Sequence, residues 1–282
     1  MRAAMIPPVP ELDRFAVTNG HIHLLLSHLT ALPGYTEFYG ERSRSGDYLI
    51  LDNSAHEHGK GNSMSTLLEQ AHALGADEVV VPDVLFDASG TVESARQALS
   101  WLTTDEGRAD YAGAGSPRLM FVPQGRTATE WSWCLSVLLD VYKERYLHDE
   151  HLTVTPPVIG ISKDYYNWKG GLVALIQKYV SPYRSRGNFP GLDVHCLGWP
   201  NDLWCLAKVT RTFKWVRSTD SAKPFVYAKN RILLEPGGPI PEYPRRDPHY
   251  FEEELTVKQR DVAVRNSEVF SAAAADLLVL RD

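Results

Sequence analysis

Polar side chains of catalytic type follow six apolar runs in this chain of 282 residues. A carboxylate can attack an electrophilic carbon, transfer a proton or accept the N–H groups of a ligand. A glutamine can satisfy the carbonyl edge of the same ligand. We therefore expect chemistry on a donor-rich ligand such as a guanine-like base, although each residue alone could simply cap the next helix. The residues are Asp52, Asp83, Gln124, Gly160 with Ser162, His195 with Gly198, and Asp220.

The apolar runs that precede these residues are continuous, which is typical of strands buried on both faces. They predict strands over residues 48–52, 78–83, 118–124, 157–162, 193–198 and 215–220. Apolar positions at helical spacing predict helices between them, over 65–75, 91–103, 129–146, 171–180 and 201–209. Such alternation is what a parallel sheet with crossover helices requires.

The predicted fold class is therefore α/β, a single (β/α)₈ TIM-type barrel domain over residues 1–282. We expect a first strand within residues 15–26 and a C-terminal helix within about 252–278, and the eighth strand has no assigned position. Residues 235–249 are proline-rich and predict an irregular connection. In this fold the catalytic groups lie at the carboxyl ends of the strands, where the six polar positions fall.

Composition predicts a soluble protein. Hydrophobic residues make up 44% and charged residues 23%, and no stretch is apolar enough to span a bilayer. The N-terminus lacks a signal peptide, so we expect a cytoplasmic location and no membrane partner. The three cysteines, Cys134, Cys196 and Cys205, are too far apart for a CxxC metal site and predict reduced thiols.

The charge distribution points to a polyanionic partner. Although the net charge is −6, residues 163–231 contain twelve lysines and arginines against four acids, a local charge of +8. Such asymmetry is a hint of nucleic-acid contact, and the alternative is that the charges only solvate helix faces. The candidate phosphate contacts are Lys163, Arg217, Lys223, Lys229 and Arg231.

In chain order these positions resemble the tRNA-guanine transglycosylase superfamily, and most closely its DNA-modifying branch, the DpdA-type enzymes. In RSTDSAKP, Asp220 with a proline four residues later matches the family's nucleophile. In LDNSAHEHG, Asp52 matches its proton-transferring aspartate. Asp83 of VVVPDV corresponds to the base-reading aspartate, and Gln124-Gly125 of FVPQGRT to the family's Gln-Gly pair.

Two further segments extend the resemblance, which runs from about residue 48 to 228. Gly160 and Ile161 of GIS correspond to a strand end whose backbone contacts the base. HCLGWPNDL resembles the family's His-x-x-Met-Gly stretch, so that His195, Leu197 and Gly198 are implied to bind the substrate.

The resemblance implies a base exchange in which Asp220 attacks C1′ and expels guanine, Asp52 handles protons, and a 7-deazaguanine such as preQ0 then enters. No cofactor or metal is expected, since the family's zinc-binding cysteines have no counterpart after Cys205. Loss of that insert favours DNA over tRNA as the substrate. Because the base must leave its stack, a helper protein that opens the duplex is also conceivable. Trp168 and Trp199 are candidates for stacking or for ordinary packing.

Two other classes of function remain open. His21 and His23 near the first strand, with His195 and Asp220, could form the metal site of an amidohydrolase-like barrel. The alternative is a non-catalytic subunit that binds nucleic acid. His56, Glu57 and His58 look like another metal motif, but a solvated turn is the preferred interpretation.

Overall fold

The computed structural model describes residues 1–16, 21–146, 155–185, 189–198, 203–236, 242, 244, 247 and 249–277. Its strands are β1 (Arg2–Met5), β2 (Ile22–Leu26), β3 (Tyr48–Asp52), β4 (Glu78–Val80), β5 (Arg118–Phe121), β6 (Val158–Ser162), β7 (Asp193–Leu197) and β8 (Val216–Ser221). They form one all-parallel, nearly closed sheet in the order β1-β8-β7-β6-β5-β4-β3-β2. The predicted (β/α)₈ fold class is confirmed.

The missing eighth strand is β1, at the very start of the chain. Ala3 and Ala4 pair in parallel with Thr219 and Asp220 of β8. The strand β2 lies within the range predicted for the first strand. Two predicted strands are too long, because β4 ends at Val80 and β5 at Phe121. As a consequence, Asp83 and Gln124 lie in loops that follow the strands.

The helices predicted from apolar spacing are present with shifted ends. The described helices are α1 (Leu12–Phe15), α2 (Tyr35–Arg44), α3 (Ala55–His58), α4 (Met64–Leu74), α5 (Ala88–Leu102), α6 (Asp105–Gly113), α7 (Ala128–Tyr146), α8 (Gly171–Leu175), α9 (Ser181–Ser185), α10 (Leu203–Thr212), α11 (Lys223–Lys229) and α12 (Val257–Ala274). The predicted helix 171–180 is interrupted, since a π-helical segment over Ile176–Val180 follows α8. Sequence spacing did not predict α1, α2, α3, α6, α9 or α11.

The C-terminal helix α12 falls within its predicted range and has a well-defined start. Thr256 and Gln259 form a capping box, in which each side chain hydrogen-bonds to the other residue's backbone N–H. Only part of the proline-rich connection over 235–249 lies within the described residues. No helix in the described ranges is long and apolar enough to cross a membrane.

The chain divides into two compact units. The first unit comprises residues 1–24, 162–178 and 194–282, and the second comprises 25–161 and 179–193. The expectation of a single domain over residues 1–282 stays a prediction.

In the first unit, buried polar contacts join the C-terminal helix α12 to the N-terminal segment and to the segment that follows β8. Glu11 is buried and accepts hydrogen bonds from the guanidinium of Arg260 at 2.9–3.0 Å. Asn266 of α12 donates to the carbonyls of Pro224 and Ile232 and accepts from Leu234 N–H. These contacts fix α12 against the segment that follows β8.

The second unit contains consecutive parallel strands whose carboxyl ends carry polar residues. The strands β3, β4, β5 and β6 pair in sequence order. Because the carboxyl ends of parallel strands meet at one edge, the residues that follow β3, β4 and β5 lie close together.

Candidate functional site

Asp220 has one carboxylate oxygen, Oδ1, that is held by hydrogen bonds from the protein, whereas none of the described residues donates to the other. The residue lies in β8 and is only 5% exposed. Its Oδ1 accepts hydrogen bonds of 3.0 Å from the backbone N–H of Gly198 and from Nε2 of His195. Within the described part of the chain, no hydrogen bond reaches Oδ2. This arrangement fixes the orientation of the carboxylate through Oδ1.

His195 is held between Asp220 and Ser218, and both of its ring nitrogens are occupied. Nδ1 lies 2.8 Å from Ser218 Oγ, and Nε2 lies 3.0 Å from Asp220 Oδ1. A carboxylate oxygen can only accept, so Nε2 carries a proton. The pairing of β7 with β8 is irregular between Val194 and His195, and such irregularities redirect side chains. We call Ser218, His195, Gly198 and Asp220 the Asp220 cluster.

A pair of lysines lies near the Asp220 cluster in the first unit. Gly198 has φ of +73°, and a Cβ placed on it would lie 3.0 Å from Cδ of Lys163. Lys223 is 6% exposed. Burial, with a smaller contribution from the charge of Lys163, lowers the pKa of Lys223 to about 8. The two lysines therefore concentrate positive charge in a largely buried place.

Asp83 lies in the second unit at the centre of an amide network. It is 3% exposed, and its Oδ1 and Oδ2 accept hydrogen bonds of 2.6 Å from Nδ2 of Asn53 and Nε2 of Gln124. Burial raises the pKa of Asp83 to about 6, although both amide hydrogen bonds oppose the rise. We call these three residues the Asp83 cluster. It fixes the plane of a carboxylate that is ionised only above about pH 6.

The loop after β4 is attached to the Asp83 cluster. The Oε1 atom of Gln124 accepts a hydrogen bond of 3.1 Å from the backbone N–H of Phe86. Gln124 thus links the loop to Asp83: its side-chain carbonyl oxygen accepts from the loop, and its amino group donates to the Asp83 carboxylate.

Asp52 ends β3 and begins a tight turn. Its Oδ2 accepts a hydrogen bond of 2.9 Å from Ser54 N–H, and the side chain is half-buried. Ser54 has φ of +61°, and its Oγ accepts from the backbone N–H of His28 at 3.1 Å. His56 and His58 are exposed in the short helix α3 that follows, whereas Glu57 between them is half-buried.

The other residues implied to bind the base have mainly buried or packed surroundings. Gly125 faces the start of α7, where an added Cβ would lie 2.6 Å from Trp131 N, so its small size is needed for packing. Gly160 and Ile161 are buried in β6. Leu197 is half-buried, and its carbonyl accepts from Tyr166 Oη at 3.2 Å.

The predicted phosphate contacts differ in their availability. Arg231 is exposed, whereas Arg217 and Lys163 are half-buried. Lys229 already pairs with the carboxylates of Asp247 and Glu253. Trp168 is half-buried with its ring 4.7 Å from that of Tyr165, which fits packing, and Trp199 lies outside the described residues.

The structure thus brings the predicted residues into two groups and adds members that sequence reasoning missed. Asp83 joins Gln124, and Asp220 joins His195 and Gly198. The missed members are Asn53 and Ser218. The sequence contained a clue to each of them. Asn53 directly follows Asp52, and Ser218 lies two residues before Asp220, on the same strand face.

The metal-hydrolase alternative gains no support from these contacts. Both ring nitrogens of His195 are hydrogen-bonded within the protein, so the ring would have to release a partner to bind a metal. Across the described ranges, no group of three or more His, Cys, Asp or Glu residues is arranged to hold a metal ion.

No protein-family model matches this chain, and no curated protein does.

Proposed function

We propose that the protein is a transglycosylase that replaces guanine in DNA with a 7-deazaguanine base through a covalent intermediate on Asp220. The observation that carries this proposal is the state of the Asp220 carboxylate: Gly198 and His195 hold Oδ1, and no described residue donates a hydrogen bond to Oδ2. An oriented carboxylate is a suitable nucleophile for an anomeric carbon. This is also the role implied by the resemblance to the DNA-modifying branch of the tRNA-guanine transglycosylases.

The exchange proceeds in two displacements at C1′. Oδ2 of Asp220 attacks C1′, the bond from C1′ to N9 breaks, and its electron pair leaves with guanine, which takes up a proton. The N9 atom of the entering 7-deazaguanine then attacks C1′, the ester bond breaks, and the N9 proton is released. The resemblance assigns both proton transfers to Asp52. Two inversions retain the configuration at C1′.

The Asp83 cluster supports a base-reading role. A carboxylate whose plane is fixed by two amides can accept the N–H and amino groups that guanine and 7-deazaguanine share. Because each carboxylate oxygen has a second lone pair, the two amide bonds leave acceptor capacity for a base. The pKa of about 6 predicts that base binding weakens below that pH.

The positive charge of residues 163–231 supports a polynucleotide partner, and exposed Arg231 is the most accessible of the candidate phosphate contacts. Affinity based on such contacts should fall as salt concentration rises.

The decisive experiment follows the release of labelled guanine from DNA, and separately from tRNA, in the presence of preQ0 with and without added metal. Asp220→Asn should abolish release, since an amide is a poor nucleophile. Asp164→Asn, which changes an exposed carboxylate of the same unit, should leave it unchanged. Without the entering base, the wild-type protein should accumulate a DNA adduct on Asp220, visible on a denaturing gel.

Release that persists in Asp220→Asn would refute the assignment of the nucleophile. Release from tRNA but not DNA would keep the reaction and change the substrate. If neither polymer released guanine, the proposed function would be wrong.

A further inference from the structure

Phe86 combines two unusual properties. It has φ of +59°, in the left-handed region that large side chains rarely adopt, and 43% of its surface is exposed. Such strain persists only where the surroundings impose it, and it concentrates at functional sites. Because so much of the residue is exposed, packing of the side chain alone does not account for the conformation.

The surrounding loop holds this conformation firmly. Phe86 N–H donates to Gln124 Oε1 at 3.1 Å, and Leu85 N–H donates to the carbonyl of Gly59 at 3.1 Å. Val84 is fixed by Thr91, whose Oγ1 accepts from its N–H at 3.0 Å and donates to its carbonyl at 3.1 Å. The backbone amide of Phe86 therefore faces the Asp83 cluster, while its ring is presented to solvent.

We infer that Phe86 stacks on the DNA base next to the exchanged guanine and fills the gap left when that guanine leaves the duplex. The inference rests on the proposed function, because it takes the Asp83 cluster as the place where the extruded base is read. A base that leaves its stack exposes the faces of its neighbours, and an aromatic or apolar side chain inserted there stabilises the opened duplex. A base presents a π-face whatever its identity, so the contact needs no sequence preference.

The chain offers a matched control in Trp133. Trp133 is also exposed, at 47%, and belongs to the same unit, but it lies within the regular helix α7. If exposed aromatic surface alone promoted DNA binding, Trp133→Ala and Phe86→Ala would have the same effect.

The experiment measures kcat/KM for guanine exchange on duplex DNA. Phe86→Ala should lower it about tenfold, the effect of losing one base–aromatic stack, and Phe86→Tyr should retain activity. Trp133→Ala should change it less than about twofold, as expected for a surface substitution. The affinity of Phe86→Ala for free preQ0 should equal that of the wild type.

Phe86→Gly distinguishes loss of the aromatic ring from misfolding, because glycine adopts a positive φ without strain. Its Tm should not fall below that of the wild type, while its exchange on duplex DNA falls as in Phe86→Ala. The inference is overturned if Phe86→Ala behaves like Trp133→Ala. It is also overturned if free preQ0 binding weakens as much as exchange does, since the ring would then stack on the pocket base.

A binding measurement separates this inference from the proposed function. Fluorescence of 2-aminopurine placed beside the target guanine should be quenched by the wild type and not by Phe86→Gly. Quenching without any guanine exchange would refute the proposed function and keep the stacking role. Exchange without Phe86-dependent quenching would refute the stacking role and keep the proposed function. A protein that neither binds nor exchanges would refute both.

Discussion

The buried carboxyl group of Asp83 should make the protein less stable as pH rises, and Asp83→Asn should remove that dependence. In the folded protein the pKa of Asp83 is about 6, whereas an unperturbed aspartate has 3.8. The folded state therefore binds the proton more tightly, and stability falls as pH rises from about 4 to about 6. The two pKa values correspond to about 3 kcal/mol, of which about half is lost between pH 5 and pH 7.5.

The substitution also has an effect that does not depend on pH. Asn53 and Gln124 both donate to Asp83, and an asparagine at this position can accept only one of the two amides. Leaving one buried N–H unsatisfied costs about 1–3 kcal/mol, which offsets much of the gain from removing the charge. The absolute stability of the variant at neutral pH is therefore a weak test of the reasoning. The pH dependence of its unfolding free energy is a stronger test.

The assay is urea unfolding of the wild type and of Asp83→Asn at a series of pH values between about 5 and 7.5. The difference in unfolding free energy between the two proteins should change by about 1.5 kcal/mol across this range, in favour of the variant at the higher pH. A difference that stays constant with pH would show that Asp83 titrates near its ordinary value and would refute the reasoning.

Two further predictions concern the first unit. Ser218→Ala removes the partner of His195 Nδ1 and should lower kcat for base exchange about tenfold without changing KM, because the imidazole that orients the Asp220 carboxylate is no longer fixed. Lys223→Met removes a buried ammonium whose pKa is lowered to about 8. Below pH 8 the variant should therefore be more stable than the wild type by about 3 kcal/mol. Urea unfolding midpoints should show that this gain disappears as pH rises towards 10.5.

Each of these has a clear contrary outcome. Thr219→Val is the control for Ser218→Ala, since Thr219 Oγ1 is buried and has no hydrogen-bond partner among the described residues. Equal effects of the two variants on kcat would show that His195 does not act through Ser218. For Lys223→Met, a stability gain that persists unchanged near pH 10.5 would mean that the gain comes from apolar packing instead of the lost charge.

The sequence alone determined the fold class and the location of the main polar residues. Strands and helices were visible because continuous β-branched runs and helical spacing are local properties of the chain. The placement of Asp52, Asp83, Gln124 and Asp220 near strand ends followed from those runs. Each of these residues lies at or shortly after the end of a predicted strand, so its position could be predicted without knowledge of any long-range contact.

Tertiary structure decided the features that depend on distant contacts. The run RAAM of β1 carries no β-branched residue and becomes a strand by pairing with β8, more than two hundred residues away in sequence. The hydrogen bond between His195 and Asp220 likewise joins two strands, β7 and β8, at residues 25 positions apart in sequence.

Burial is the second property that the sequence did not supply. It raises the pKa of Asp83 and lowers that of Lys223, yet both residues carry the same side chains that are fully ionised at a protein surface at neutral pH. The positive φ of Phe86 also depends on surrounding contacts that the phenylalanine itself does not encode. Residue type sets what a side chain can do, and only the folded surroundings set its charge, its orientation and the atom it leaves free to react.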